Sequence, residues 1–324
     1  MTLMTTTQTP PDRALVADRL SFSGHETFVF RHAWLKKAVD AVAEDPTVFS
    51  QESAIVTLGV GKNMVRSIRH WALAAGVIAE EPKSRGMRLE VTPFGHMLLG
   101  KSGFDKYLED PNTLWLLHWK MLTQDQRCTT WNWVFNRFPS TEFTRAGLTQ
   151  FILDEARRAG ATSGTENSIR RDVEVFLRTY VGAAEIRKSV GEEDLDCPLS
   201  ELGLIEGQSH DVFLLHRGPK PSLGDHAFVY ALCDFWNGIS EAQQTLALSE
   251  IAYRKGSPGT VFRLDENTIS ERLERLETIT EGRLVYAETA GLRQVYRKGE
   301  ITFDEMLQAH YAASGDLLDV EVFA

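Results

Sequence analysis

At 324 residues, with 43% hydrophobic, 25% charged and 10% aromatic side chains, the chain can bury two or three ordinary cores and lacks the bias of a disordered or fibrous protein. Its three cysteines, Cys128, Cys197 and Cys233, are far apart and odd in number, which supports neither a disulfide framework nor a zinc ribbon and predicts a reducing compartment. A formal net charge of −10 argues against indiscriminate coating of nucleic acid, so any affinity for phosphate must come from local segregation of charge.

Residues 1–19 are rich in Thr near their start and lack the basic start and apolar run of a signal peptide. They are expected to be a disordered tail on a cytoplasmic protein, with no membrane partner. Residues 20–125 are expected to form a winged helix-turn-helix. A helix carries Trp34-Leu35-Lys36-Lys37, a short helix spans Gln51–Leu58, Gly59-Val60-Gly61 makes the turn, and a recognition helix covers Lys62–Ala75 up to Gly76. Strand-like runs at Val77–Glu80 and Arg88–Val91 flank a polar loop. The apolar stretch Phe94–Leu122 reads as one buried connecting helix.

The middle unit, 126–200, is expected to be helical, with helices near Thr144–Ala159 and Thr165–Tyr180 around a Gly160–Gly164 turn and no wing. It closes on the acidic stretch Ser189–Pro198, read as a boundary or exposed loop. The last unit, 201–324, repeats the winged-helix order with helices at His226–Asn237, Thr245–Lys255 and Asp265–Leu276, then strands at Arg283–Glu288 and Arg293–Arg297. The predicted fold is mainly α with small β-hairpins.

Between Ser53 and Ala79 there is no Asp or Glu. On a helical wheel, Met64, Val65, Ile68, Trp71, Ala72 and Ala75 share one arc, and Lys62, Arg66, Arg69 and His70 another. Cations on an amphipathic helix are by themselves only a solvated face, but the Gly-x-Gly turn, the missing acids and the basic loop that follows favour DNA. Lys62, Asn63, Arg66 and Ser67 occupy the first turns, where a recognition helix meets base edges, while Lys83, Arg85 and Arg88 suit a phosphate backbone. Arg170 and Arg171 offer a secondary contact, opposed by Asp172 and Glu174. The Asp265–Leu276 helix is too acidic for DNA and is expected to dock a protein partner.

Gly59-Val60-Gly61-Lys62-Asn63 fails the spacing of a phosphate loop, and H-E-x-x-H and G-x-S-x-G are absent. Glu185 with Arg187 and Lys188 is the nearest approach to a carboxylate-plus-lysine nuclease pattern. Ser23-Gly24-His25-Glu26-Thr27 is dense in groups able to move protons or ligate metal, although a structural, hydrogen-bonding histidine fits the same residues.

Phe22-Ser23-Gly24-His25-Glu26-Thr27-Phe28, Arg31, Trp34-Leu35-Lys36-Lys37 and Leu58-Gly59-Val60-Gly61-Lys62-Asn63-Met64-Val65, with Ile68-Arg69, Trp71 and Ala72, resemble a family of uncharacterised-domain proteins. Its members accompany sulfurtransferase-like proteins in bacterial DNA phosphorothioation islands. The resemblance implies a part in replacing a non-bridging phosphate oxygen of DNA by sulfur in anti-phage defence. It implies double-stranded DNA binding and strand nicking, alongside a cysteine desulfurase, an ATP-using sulfur-transfer enzyme and an ATPase. Nicking needs an activated water and charge stabilisation at phosphorus, usually from a divalent ion, so Mg2+ or Mn2+ is expected, with His25 and Glu26 as acid–base candidates and Arg31 as phosphate clamp. The alternative is a non-enzymatic winged-helix transcriptional regulator or assembly adaptor.

Overall fold

The computed structural model describes residues 20–123, 126–161, 164–182, 197–209, 211–240 and 243–313. The 1–19 tail, Glu185, Arg187, Lys188 and the 189–196 part of the acidic stretch lie outside the described residues.

Three stretches of chain follow one plan. The first runs α1 (His32–Glu44), α2 (Ala54–Leu58), α3 (Lys62–Ala74) and the antiparallel pair β1 (Ile78–Glu80) and β2 (Leu89–Val91), with Ile78 opposite Val91. The second runs α6 (Thr129–Arg137), β3 (Glu142–Thr144), α7 (Arg145–Arg158), α8 (Glu166–Tyr180), β4 (Ile205–Ser209) and β5 (Val212–Leu215). The third runs α9 (Asp225–Ile239), β6 (Thr245–Ala247), α10 (Leu248–Tyr253), α11 (Pro258–Val261), α12 (Glu266–Glu274), α13 (Leu276–Ile279), β7 (Leu284–Thr289) and β8 (Leu292–Arg297). In the last two, the strand before the helices pairs with the final strand, giving the orders β3-β5-β4 and β6-β8-β7. In the first, Pro46 stands where that strand would be, its carbonyl accepting the Leu89 N–H at 2.8 Å.

The middle stretch therefore has a hairpin that its sequence did not announce, and its sheet joins residues on either side of position 200. Glu206 and Gly207 interrupt the alternation expected of a strand, and the register shifts between Gly207 and Ser209, which explains the weak pattern. Thr245–Lys255 is not one helix: its first three residues form β6, because Leu246 is buried in the sheet opposite Val295.

The Phe94–Leu122 stretch divides into α4 (Pro93–Leu99) and α5 (Pro111–Thr123). Its apolar period continues through the break, but the residues between are turns and bends rather than helix. A Cβ on Gly103 would fall 2.5 Å from the Leu98 carbonyl oxygen. Asp105 gathers the Glu109 and Asp110 N–H groups at 2.8 and 3.0 Å, and Pro111 restarts the helix at its first position. Helix α5 is buried from Thr113 to Leu122 and forms the spine of the core, which also takes in Trp71, Trp131, Trp133 and Trp236. Lys120 on that spine lies among the rings of Phe94, Tyr230 and Phe303, 4.9–5.6 Å from their centres. Helix α14 (Phe303–Ala313) closes the core through Tyr311 and His310, the latter 2.5 Å from Asp110. The three cysteines are buried thiols.

Candidate nucleic-acid interface

Helix α3 begins as its sequence requires. Gly59 takes φ +65°, where a side chain would be strained, and ends α2 there; Gly61 then caps α3 from an extended conformation. Lys62, Asn63 and Arg66 are exposed. Arg66 is held 3.2 Å from Glu26. Arg69 has a different task. Its Nη2 donates to Glu80 Oε1 at 3.0 Å and to the Gly86 carbonyl at 3.1 Å, strapping the hairpin to the helix, and Arg127 donates to the same Glu80 oxygen.

Two residues expected on the DNA face point inward instead. Ser67 and His70 are buried. The wheel places His70 one turn beyond Arg66, but a wheel carries no information about other segments, and the 22–28 loop lies over that side. A Cβ on Gly24 would sit 2.6 Å from His70 Nδ1. Burial, then the neighbouring His25, Arg127 and Arg69, push the His70 imidazole well below its usual proton affinity, so it is neutral.

The β1–β2 loop exposes Lys83, Arg85 and Arg88. Lys83, Arg85 and Gly86 have φ of +67°, +54° and +74°, a tight turn that holds the side chains outward. Arg88 Nε donates to Glu81 at 2.7 Å. On α8, Arg170 and Arg171 are exposed, and Arg170 donates to Asn167 at 3.1 Å.

The 23–27 segment is a clamp. His25 is 1% exposed. Its Nδ1 accepts the Thr27 N–H at 3.1 Å, so the ring proton is on Nε2, which donates to Asp172 Oδ1 at 2.7 Å; Ser23 N–H donates to the same oxygen at 2.8 Å. The ring stacks 6.0 Å from Trp71 and meets Trp131 edge-on at 5.8 Å. Ser23, Glu26 and Thr27 take φ of +65°, +49° and +70° to reach this shape. Trp71 Nε1 donates to the Phe28 carbonyl at 2.9 Å and Arg178 to that of Thr27 at 3.3 Å.

Both ring nitrogens of His25 are engaged and the ring is shut away from water, so it has no lone pair to offer a nucleophile. Glu26 faces Arg66, and Arg31 lies before α1 with its guanidinium 5.6 Å from the Trp34 ring. Sequence reasoning missed Asp172, which it counted as a surface acid opposing Arg171. The clue was its place three residues after Ile169 and four before Phe176, on the apolar stripe, where an acid requires a buried partner. Among the described residues no three His, Cys, Asp or Glu side chains converge as a metal site, so the Mg2+ or Mn2+ expectation finds no ligand set there. No helix among them is long and apolar enough to cross a membrane.

A family model described as a protein of unknown function, DUF4007, matches residues 22–311. The chain belongs to the DUF4007 family. Two solved structures resemble this DUF4007 chain. A magnesium ion-bound SspB crystal structure is 32% identical with a TM-score of 0.83, covering 93% of this chain and 91% of that one. A second SspB crystal structure is 32% identical with a TM-score of 0.82, covering 92% and 90%. No curated protein matches the chain. The likeness to SspB bears out the resemblance carried by the Phe22–Phe28 and Leu58–Ala72 motifs.

Proposed function

We propose that the chain is the DNA-binding component of a bacterial DNA phosphorothioation system, working in the cytoplasm, and that its three topological repeats are winged-helix units. The carrying observation is the outward face of α3 and its hairpin. Lys62 and Asn63 are exposed at the start of a helix that follows a tight turn, and Lys83 and Arg85 are held outward on the adjoining loop. A helix start exposing Asn and Lys suits the major groove, and a basic hairpin loop suits the neighbouring phosphates. Arg66 joins this face when a phosphate replaces Glu26 as its partner. Arg170 and Arg171 supply a secondary phosphate contact from the middle unit.

The likeness to SspB supports the phosphorothioation setting, and with it assembly with the desulfurase, sulfur-transfer enzyme and ATPase of such a system. The acidic third unit is the natural docking face for those proteins. Strand nicking, with Mg2+ or Mn2+ as the ion, belongs to the same reading but draws on groups other than His25. The burial of His25 favours a second reading, a non-enzymatic regulator or assembly adaptor with the same DNA face.

Fluorescence anisotropy of a labelled duplex, titrated with the full chain over a range of salt, tests binding. Contacts from Lys62, Lys83 and Arg85 predict a log–log salt slope of about −3, near −0.9 per phosphate. A slope near zero removes the DNA reading. Relaxation of supercoiled plasmid with magnesium in the same samples separates nicking from the adaptor reading.

A further inference from the structure

Arg263 lies just before helix α12. It is 8% exposed and its Nε is buried without a hydrogen-bond partner among the described residues. It also takes φ +56°, a left-handed conformation that is strained for an arginine. A buried guanidinium ordinarily faces a carboxylate, because desolvating a cation alone is costly. Here the neighbours are more cations. The 216–220 turn is laced to residues 263 and 264 by Gly218 N–H donating to the Arg263 carbonyl at 2.9 Å and by Arg217 Nε donating to that of Leu264 at 3.1 Å. Lys220, 7% exposed, is on the same turn, its Nζ reaching, among the described residues, only the His216 carbonyl at 3.4 Å.

The nearby acids are committed elsewhere. Asp265 accepts the Thr268 N–H at 2.7 Å as the cap of α12, and Glu266 pairs with Arg293 and accepts the Tyr253 hydroxyl at 2.9 Å. Three cations therefore lie along this lacing beside one capping carboxylate, with Arg217 also donating to the Ala252 carbonyl at 3.3 Å and lying 5.4 Å from the Tyr253 ring centre. They feel one another: burial and then Arg263 push the Lys220 ammonium down to about 8, and burial and then Arg217 push Arg263 down to about 10.

We propose that the seam between the 216–220 turn and residues 263–264 is a binding site for a phosphate-type oxyanion, held by Arg263 and Lys220 with Arg217 at its rim. An oxyanion supplies the hydrogen-bond acceptors and the negative charge that the fold leaves out. It explains why a strained, buried arginine is kept where glycine or asparagine would sit more easily. The site uses residues apart from the α3 face and stands independently of the DNA reading. Two sources fit the chemistry, a nucleic-acid backbone and a soluble phosphate compound.

The test is thermal unfolding of the full chain with inorganic phosphate against sodium chloride at equal ionic strength. The chain should gain about 2 °C or more in Tm once phosphate exceeds its dissociation constant about tenfold. Arg263→Asn, which suits the left-handed backbone, and Lys220→Gln should fold and lose that gain. The site is overturned if the parent chain shows no gain over chloride, or if both variants keep it. Duplex binding by the same variants assigns the source: weakened DNA affinity points to a nucleic-acid backbone, and unchanged affinity with lost phosphate response points to a soluble phosphate.

Discussion

His25 and Asp172 lie 147 positions apart in the chain and meet at 2.7 Å inside the protein, joining the 23–27 turn to helix α8. That bond holds the 23–27 turn against helix α8. Replacing His25 with Ala leaves a buried carboxylate without its donor and should cost about 3 kcal/mol in urea unfolding. A cycle with Asp172→Ala should show coupling of about 1 kcal/mol or more. Additive effects within a few tenths would show that the two residues act separately.

Gly24 is required for a steric reason rather than a conformational one. A methyl group there would meet His70 Nδ1 at 2.6 Å and Cε1 at 2.9 Å. Gly24→Ala should destabilise the protein by about 1–3 kcal/mol, and Gly24→Ala with His70→Ala should recover part of that loss. Equal stability of Gly24→Ala and the parent, measured by thermal unfolding, would mean that the loop does not rest on His70.

Arg69 and Lys62 should behave differently although both belong to one basic helix. Arg69 is bound to Glu80 and Gly86, so Arg69→Ala should lower stability by about 1–2 kcal/mol and leave the salt slope of DNA binding nearly unchanged. Lys62→Ala should leave stability within about 0.5 kcal/mol and reduce the slope by about 1. The reverse pattern would place the phosphate contact at Arg69.

Acid should unfold the protein through its buried histidines. His118, bonded to the Tyr180 hydroxyl at 2.8 Å and the Val261 carbonyl at 2.9 Å, is pushed down by burial to about 4, and His70 is lowered by the same cause. Between pH 6.5 and 4 the unfolded chain binds protons that the folded chain refuses. The stability is therefore whole above pH 6.5 and falls as the pH drops toward 4, by about 3 kcal/mol for His118 alone. Urea midpoints that stay flat across that window would contradict a neutral buried His118.

The readable parts of this fold are those where local chemistry and tertiary structure agree. Gly59, Gly61 and Gly76 bracket α3 within a residue of its expected limits, and the hairpin after it follows from Val77-Ile78 and Leu89-Glu90-Val91. Helix α8 follows from the stripe of Ile169, Val173, Phe176 and Tyr180. What stayed hidden depends on distant segments. The wheel cannot show that the 22–28 loop covers His70, or that Glu26 and Glu80 reach over from outside the acid-free window to pair with Arg66 and Arg69. The same holds for Asp172, which looks like a surface acid until the 23–27 turn is laid against it. Short strands such as Glu142–Thr144 are invisible alone, because they become strands only by pairing with residues seventy positions away.

The central claim is that the outer face of α3 and the 81–88 loop binds duplex DNA. The most direct measurement is duplex affinity, by anisotropy, of a Lys62→Glu, Lys83→Glu double variant, both residues being exposed and unneeded for the core. The account predicts unchanged thermal stability, a loss of affinity of tenfold or more and a shallower salt slope. Full affinity in the folded double variant would contradict it.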